Sequence, residues 1–228
     1  MKRFSGSALC FLVLFTAVQG QSIRASKPTH YFYTPAAYVN PPFHLVLSFH
    51  EISFSLPANL QLQASILDNI GRVNFGAKFG ILQNFSLGGG LAYNLVHIGN
   101  GVHGITHPDK PRFGFFLTYG FVQTEKFEFA ATPHTQIGER FSIGGDLGMM
   151  LTPHEFWSVI LEFGLLVDTK DGGLVYMNTD GGLRIHPPKI PFLSFDAGID
   201  LEEFAVNKND PSPTVTVFFD VIFAMKVR

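Results

Sequence analysis

Apolar and polar residues alternate along most of this chain, and that period of two restricts it to β-strands. Over 72–81, apolar residues occupy the odd positions, while charged, polar or glycine residues occupy the even ones. Successive side chains of a strand point to opposite faces, so this pattern predicts a strand with one apolar and one polar face. The same alternation recurs at 60–66, 113–121, 141–151, 157–167, 193–201 and 215–227. No segment has a convincing 3.6-residue period, and the sequence therefore predicts an all-β protein.

The composition indicates that the apolar faces do not all lie in a soluble core. Hydrophobic residues make up 46% of the chain and charged residues 15%, whereas typical soluble domains contain about 25% charged residues. Beyond the N-terminal region, the longest stretch without a formal charge, 79–108, is interrupted by Gln, Asn and a glycine triplet. It is not a convincing membrane-spanning helix, so the apolar surface is expected on the strands.

Glycine is frequent on the polar face of the predicted strands. A water-facing sheet normally carries Thr, Lys and Glu, because glycine weakens a strand. Glycine fits better on the inner wall of a tightly curved barrel, where it allows bends and leaves room. The predicted lumen-facing glycines are Gly76, Gly80, Gly88, Gly90, Gly114, Gly120, Gly144, Gly148, Gly164 and Gly198.

Isolated charges of both signs lie on that same face. Two interpretations stay open: the charges line a pore and select solutes, or they pair across a narrow lumen and plug it. The space left by the glycines favours the pore. The predicted lumen-lining charged residues are Arg72, Lys78, Asp146, Glu162, Asp180, Arg184, Asp196, Asp200, Asp220 and Lys226.

Many predicted strands begin with an aromatic residue just after a turn. Membrane-spanning barrels carry girdles of aromatic residues at the two membrane boundaries. The predicted girdle residues are Phe85, Phe113, Phe127, Phe141, Trp157 and Phe192.

The first twenty residues have the pattern of an export signal. Lys2 and Arg3 precede an apolar stretch at 8–18, and Val18-Gln19-Gly20 offers small residues for cleavage before Gln21. That stretch is too short for a membrane-spanning helix, which needs about 20 residues. The alternative is an ordinary N-terminal helix.

Cleavage before Gln21 removes Cys10, the single cysteine. The remaining chain has no disulfide, no thiolate metal site and no cysteine nucleophile. It also loses Lys2 and Arg3, which leaves 14 basic and 18 acidic residues and a formal charge of −4. No basic block indicates nucleic-acid binding, and we expect no cofactor.

The export signal, alternating strands, girdle aromatics and unequal turn lengths together resemble bacterial outer-membrane β-barrel proteins of the small porin-like class. The resemblance covers the chain after the signal and implies a closed antiparallel up-and-down barrel in the outer membrane. It also implies two partners, outer-membrane lipid and the barrel-insertion machinery. One departure is the C-terminus, Met225-Lys226-Val227-Arg228, since such barrels commonly end in an aromatic residue. The oligomeric state stays open.

Connection lengths predict about twelve strands. Eleven are clear, roughly at 43–56, 59–68, 72–82, 85–98, 112–123, 126–134, 140–152, 155–167, 173–186, 191–204 and 214–227. Barrels of this class have an even number of strands, with short turns at one end and longer loops at the other. We therefore assign His30–Val39 as a twelfth strand before 43–56. The alternative is ten strands. The predicted organisation is a signal peptide at 1–20, a periplasmic segment at 21–29 and the barrel at 30–228.

The leading functional hypothesis is a porin-like channel for passive passage of small solutes. The alternative is a structural or adhesive barrel with a plugged lumen that acts through its extracellular loops. A barrel enzyme acting on lipid or peptide comes third, because the sequence has no G-x-S-x-G elbow. His134 and His154 each follow a proline and are interpreted as turn residues. The identity of the solute stays open.

Three histidines, His97, His103 and His107, lie in and beside the longest predicted loop. Imidazole is a common ligand of zinc, copper and nickel. Their spacings match no compact ligand motif, so we interpret the segment as a glycine-rich loop and predict no metal site.

Overall fold

The structure, a computed structural model, describes residues 35–49, 51–64, 72–94, 111–138, 141–169, 174–205 and 215–227. They form a closed antiparallel barrel of twelve strands, in which each strand pairs with its neighbours along the chain and the last pairs with the first. The all-β fold and the strand number of about twelve are confirmed, and the ten-strand alternative is wrong. Within the described residues, no helix is long and apolar enough to span a membrane.

The strands differ in length around the barrel. The first three are short: β1 (His44–Leu47), β2 (Ile52–Leu56) and β3 (Leu60–Ala64). The remaining nine have 10 to 14 residues. They are β4 (Arg72–Leu82), β5 (Phe85–Asn94), β6 (Arg112–Gln123), β7 (Phe127–Ile137), β8 (Phe141–His154), β9 (Trp157–Asp168), β10 (Leu174–Ile185), β11 (Leu193–Ala205) and β12 (Val215–Lys226).

The extra strand is not the one that was predicted. The prediction of a wall strand at His30–Val39 is wrong for its described part, 35–39, which is not among the twelve strands of the wall; residues 30–34 lie outside the described residues. Instead, the predicted strand 43–56 is a hairpin of β1 and β2.

A shift in the alternation explains this hairpin. Leu45 and Leu47 are at odd positions, whereas Ile52 and Phe54 are at even positions. One continuous strand would place the two sets on opposite faces. A four-residue turn at 48–51 restores both sets to the outward face.

Hydrogen bonds fix this turn and attach it to the barrel wall. The Ser48 amide donates to the Glu51 carbonyl at 2.7 Å, and the Glu51 amide donates to Ser48 Oγ at 2.8 Å. Asp220 Oδ1 accepts from the amides of Phe49 and Val221 at 2.9 and 2.8 Å. The tip of the hairpin is therefore tied to the middle of β12.

The two ends of the barrel differ in their connections. One end, here called the turn end, has the connections 57–59, 83–84, 124–126, 155–156 and 186–192. The other, the loop end, has 65–71, 95–111, 138–140, 169–173 and 206–214. The predicted alternation of short and long connections holds for most of this order, but it is wrong for 186–192, which is longer than the loop-end connections 138–140 and 169–173. Most loop-end residues lie outside the described ranges.

The outward face of the wall is apolar and exposed. Phe75, Phe115, Leu161 and Phe219 are among the many large apolar side chains on it. Of the outward strand positions whose side chains the structure describes, none carries Asp, Glu, Lys or Arg. The charged side chains that the structure describes on the strands point inward, so this part of the barrel has the opposite polarity to a soluble domain.

We predict that Asp220→Ala lowers the free energy of unfolding by about 1.5–3 kcal/mol, because two backbone amides lose a charged acceptor. Asp220→Asn keeps an acceptor oxygen at Oδ1, so its free energy of unfolding is expected to fall clearly less than that of Asp220→Ala. Urea unfolding of protein refolded in detergent measures both variants. Equal losses for the two variants would contradict the acceptor role.

Candidate functional site in the barrel lumen

The candidate site is the inward face of the barrel, where the charged side chains lie. Lys78, Asp146, Glu162, Asp180, Arg184, Asp196, Asp200, Asp220 and Lys226 occupy inward positions. Asp146 is half-buried, Lys226 is exposed at the turn end, and the other seven are buried. Arg72 begins β4, but its side chain lies outside the described residues.

Sequence analysis missed four further charged residues of this face and its rim. Glu128, Asp168 and Arg112 occupy inward positions of their strands, and Glu51 is buried in the turn before β2. The first three follow from the alternation: Glu128, for example, lies between Phe127 and Phe129. Glu51 could not be found this way, because it lies where the alternation shifts.

Arg184 and Asp196 form a buried ion pair across β10 and β11. Arg184 Nε donates to Asp196 Oδ1 at 2.8 Å, and Nη2 donates to Oδ2 at 2.7 Å. This two-point arrangement gives the strongest geometry available to a guanidinium and a carboxylate. In this pair the charges neutralise each other, as the plugged-lumen interpretation requires.

His134 forms a second pair on the inward face. Its Nδ1 lies 3.0 Å from Asp146 Oδ2. The interpretation of His134 as a turn residue is wrong, because β7 continues through Pro133 and keeps its alternation to Ile137. His154 does lie at a turn, as the last residue of β8.

A chain of side-chain contacts links three strands, β8, β9 and β11, through a histidine of the 186–192 connection at the turn end. Ser158 Oγ lies 2.9 Å from Thr152 Oγ1 and 3.3 Å from His186 Nε2, and His186 Nδ1 lies 3.1 Å from Ser194 Oγ. A serine next to a histidine is the beginning of a hydrolase site. Here Ser158 is completely buried, and the third member is a hydroxyl instead of a carboxylate. We interpret the chain as a structural link from β8 to β11.

The ten predicted lumen glycines occupy inward positions, but several of them do not leave open space. Phe116 lies over Gly88, His134 over Gly144 and Asn178 over Gly164. A Cβ on Gly198 would lie 2.6 Å from Phe218 Cζ. At these positions each glycine accommodates a large side chain from the next strand. The remaining predicted lumen glycines are Gly76, Gly80, Gly90, Gly114, Gly120 and Gly148.

Residues 35–40, here called the luminal segment, lie inside the barrel. Ala36, Ala37, Tyr38 and Asn40 are all buried. The fully buried Lys78 donates from Nζ to the Ala36 carbonyl, and its Nζ lies 6.0 Å from the centre of the Tyr38 ring. The segment therefore lies against the inward face of β4.

The luminal segment also reaches the opposite wall. Ala36 and Tyr38 form an apolar cluster with Ala130, Met150 and Ile160 of β7, β8 and β9. The segment thus crosses the lumen from β4 to β9. Its sequence signal was its prolines: Pro35 and Pro41-Pro42 fit poorly in a paired strand, yet they suit a segment that leaves the wall.

The predicted girdle aromatics lie at both rims of the barrel. Four are at the turn end and two at the loop end. The turn-end residues are Phe85, Phe127, Trp157 and Phe192, and the loop-end residues are Phe113 and Phe141.

The metal candidates His97, His103 and His107 lie outside the described residues. Within the described part of the chain, no group of three or more His, Cys, Asp or Glu side chains is arranged to hold a metal ion. The role of the 97–107 segment stays a prediction.

Comparison with known proteins identifies no family. No protein-family model matches this chain, and no curated protein matches it either.

We predict opposite outcomes for the same substitution at two inward glycines on adjacent strands. Gly88→Ala would place its Cβ against the Phe116 ring and 2.8 Å from the Ala77 carbonyl, so it is expected to cost about 1–3 kcal/mol. Gly114→Ala is the matched control, because no described atom lies within 4 Å of its Cβ. Gly114→Ala is expected to leave the free energy of unfolding unchanged or to raise it by about 0.4–1 kcal/mol.

Unfolding of both variants in detergent measures the difference. If Gly114→Ala is as destabilising as Gly88→Ala, the cost comes from strand backbone and not from the aromatic ring packed over Gly88.

Proposed function

We propose that this protein is a bacterial outer-membrane β-barrel that forms a channel for small solutes, closed by its own luminal segment. The observation that carries the membrane placement is the outward face, whose described strand positions include no Asp, Glu, Lys or Arg. Strands of 10 to 14 residues in β4 to β12 suit a bilayer, which a tilted barrel strand crosses in about 9–11 residues.

Closure of the sheet supports the same placement. Hydrocarbon offers no partners to backbone amides and carbonyls, so a membrane-spanning sheet must close on itself. Pairing of β1 with β12 removes both edges of the sheet at that contact. Under this proposal, the chain is exported, cleaved near Gly20, inserted by the barrel-insertion machinery and surrounded by outer-membrane lipid.

The luminal segment supports a channel that opens and closes. Lys78 donates a hydrogen bond to it, Ala36 and Tyr38 make apolar contacts with the wall, and the Pro41-Pro42 corner joins it to β1. Such a segment can leave the lumen without breaking any strand pairing of the barrel. We propose no catalytic role.

A second function is favoured by the packing of the wall itself. Arg184, Asp196, Phe116 and Phe218 are side chains of the wall that fill part of the lumen in addition to the luminal segment. A barrel that stays plugged would serve as a structural or adhesive protein and act through its loops.

Removing the luminal segment separates these two functions. We predict that a variant lacking 21–40 behind the intact signal gives stable conductance steps in planar bilayers, whereas the full chain conducts rarely. The matched control lacks 21–34 and keeps the luminal segment, and it is expected to behave like the full chain. Heat-dependent mobility in SDS gels verifies that each variant is folded. If the folded variant lacking 21–40 does not conduct, the channel function is wrong and the structural or adhesive function of a plugged barrel is preferred.

The membrane placement has its own test, which uses two outward residues of equal exposure at different depths. Leu161 lies near the middle of β9 and Ile137 at the loop end of β7, and they are 46% and 47% exposed. In lipid vesicles, Leu161→Arg is expected to lower the free energy of unfolding by about 2–4 kcal/mol, and Ile137→Arg by about 0–1 kcal/mol. Equal small costs at both sites would mean that water surrounds the barrel.

A further inference from the structure

The luminal segment occupies its place in the barrel as a bound ligand would. The wall around it has three distinct parts: a buried lysine, a glycine and an apolar patch. We call their residues the plug site: Lys78 and Gly80 of β4, Ala130 of β7, Met150 of β8 and Ile160 of β9. The segment itself forms no strand of the wall, so the site and its occupant are separable parts of the structure.

The first part of the plug site contacts a peptide carbonyl. Lys78 is completely buried and donates from Nζ to the Ala36 carbonyl. Glu51 lies within electrostatic range of Lys78 and balances its charge. A second carboxylate at Lys78 would place an uncompensated negative charge in a buried setting, whereas a carbonyl accepts a hydrogen bond without adding charge. Lys78 therefore favours a neutral acceptor over an anionic one.

The second part allows the occupant to lie close to the wall. A Cβ on Gly80 would lie 3.3 Å from Val39 Cγ2. Glycine inside a strand often marks a place where another backbone or a ligand approaches closely. The inward face of β4 is thus shaped for an extended chain and not only for a single side chain.

The third part is an apolar patch that receives an aromatic ring. Tyr38 is 4% exposed and forms a buried cluster with Ala130, Met150 and Ile160. Methionine makes favourable contacts with aromatic rings. Tyr38 also interacts electrostatically with Arg184, so a polar group borders the patch. A side chain with an apolar ring and a polar tip matches this part of the site.

We infer that the plug site binds extended peptides that carry an aromatic side chain, and that the luminal segment is its built-in competitor. This inference rests on the proposed channel function and names its solute class. Because the segment is attached to the barrel, it competes at an effective concentration on the order of mM. A free peptide binds once the segment has left the lumen.

Calorimetric titration tests the site without requiring conductance. The protein is the variant lacking 21–40, folded in neutral detergent. The probe is the hexapeptide Pro-Ala-Ala-Tyr-Val-Asn, the sequence of 35–40, acetylated and amidated so that its ends carry no charge. We expect saturable binding of one peptide per barrel. The full chain is expected to bind the probe at least about tenfold more weakly, because the attached segment competes.

Changes in the probe test the site without altering the protein. Alanine in place of the tyrosine is expected to weaken binding by about 30-fold, because the burial of an aromatic side chain is lost. The glycine-flanked probe Gly-Ala-Ala-Tyr-Gly-Gly keeps the carbonyl and the ring, and it is expected to bind within about tenfold of the hexapeptide. Loss of its binding would restrict the site to the segment's own sequence and contradict the inference.

A change in the protein tests the Lys78 contact. Lys78→Met keeps an unbranched side chain but removes the donor, so it is expected to weaken binding of the hexapeptide by about tenfold or more. The matched control is Lys126→Met, the same change at an exposed lysine of the 124–126 connection. It is expected to bind within about threefold of the unsubstituted variant. Heat-dependent mobility in SDS gels verifies folding, and the probe series decides the question if Lys78→Met does not fold.

Four further results would overturn the inference: no binding of the hexapeptide to the folded variant lacking 21–40, equal binding of the tyrosine and alanine probes, equal weakening by the two lysine substitutions, or tighter binding of phenylpropionate than of the hexapeptide. The last result would mean that Lys78 selects an anion instead of a carbonyl. Conductance is measured separately on the variant lacking 21–40. A variant that conducts but binds no peptide rejects the solute class alone, and one that binds peptide but does not conduct rejects the channel alone.

Discussion

The pairing of β1 with β12 is the interaction on which the rest of this structure depends. It closes the sheet by pairing Phe223–Lys226 of β12 with β1, and a closed sheet can present an uncharged outward face because its strands pair with one another. Because that face carries no charge at its described strand positions, the described charged side chains of the strands point into the lumen. Closure therefore determines both the surface that meets the surroundings and the chemistry of the interior.

The interior then has to accommodate many charged groups in a small space. Arg184 and Asp196 neutralise each other, and His134 contacts Asp146. Glycines opposite Phe116 and Phe218 allow large rings to lie flat on the wall. The same packing leaves Asp180 between two other acids, so the inward face is both well filled and locally unbalanced in charge.

The luminal segment links this packing to function. It covers Lys78, contributes Ala36 and Tyr38 to the apolar cluster, and crosses the lumen. A short segment that forms no strand of the wall can close a channel and still be displaced, whereas strand pairing cannot be undone without losing the barrel.

Alternation along the chain predicts most strands of the wall, although it merged β1 and β2 into one strand. Strands β4 and β6 begin and end where the pattern predicted, and the inward positions of Lys78 and Asp180 follow from period two, because a strand's side chains must alternate whatever it pairs with. The shift of the apolar positions between Phe49 and Ile52 marks the β1–β2 turn in the sequence itself. Register and enclosure depend on strands far apart in the chain. Tertiary structure therefore decided that residues 35–40 lie inside the barrel, that Phe116 covers Gly88, and that Glu162 and Asp200 flank Asp180.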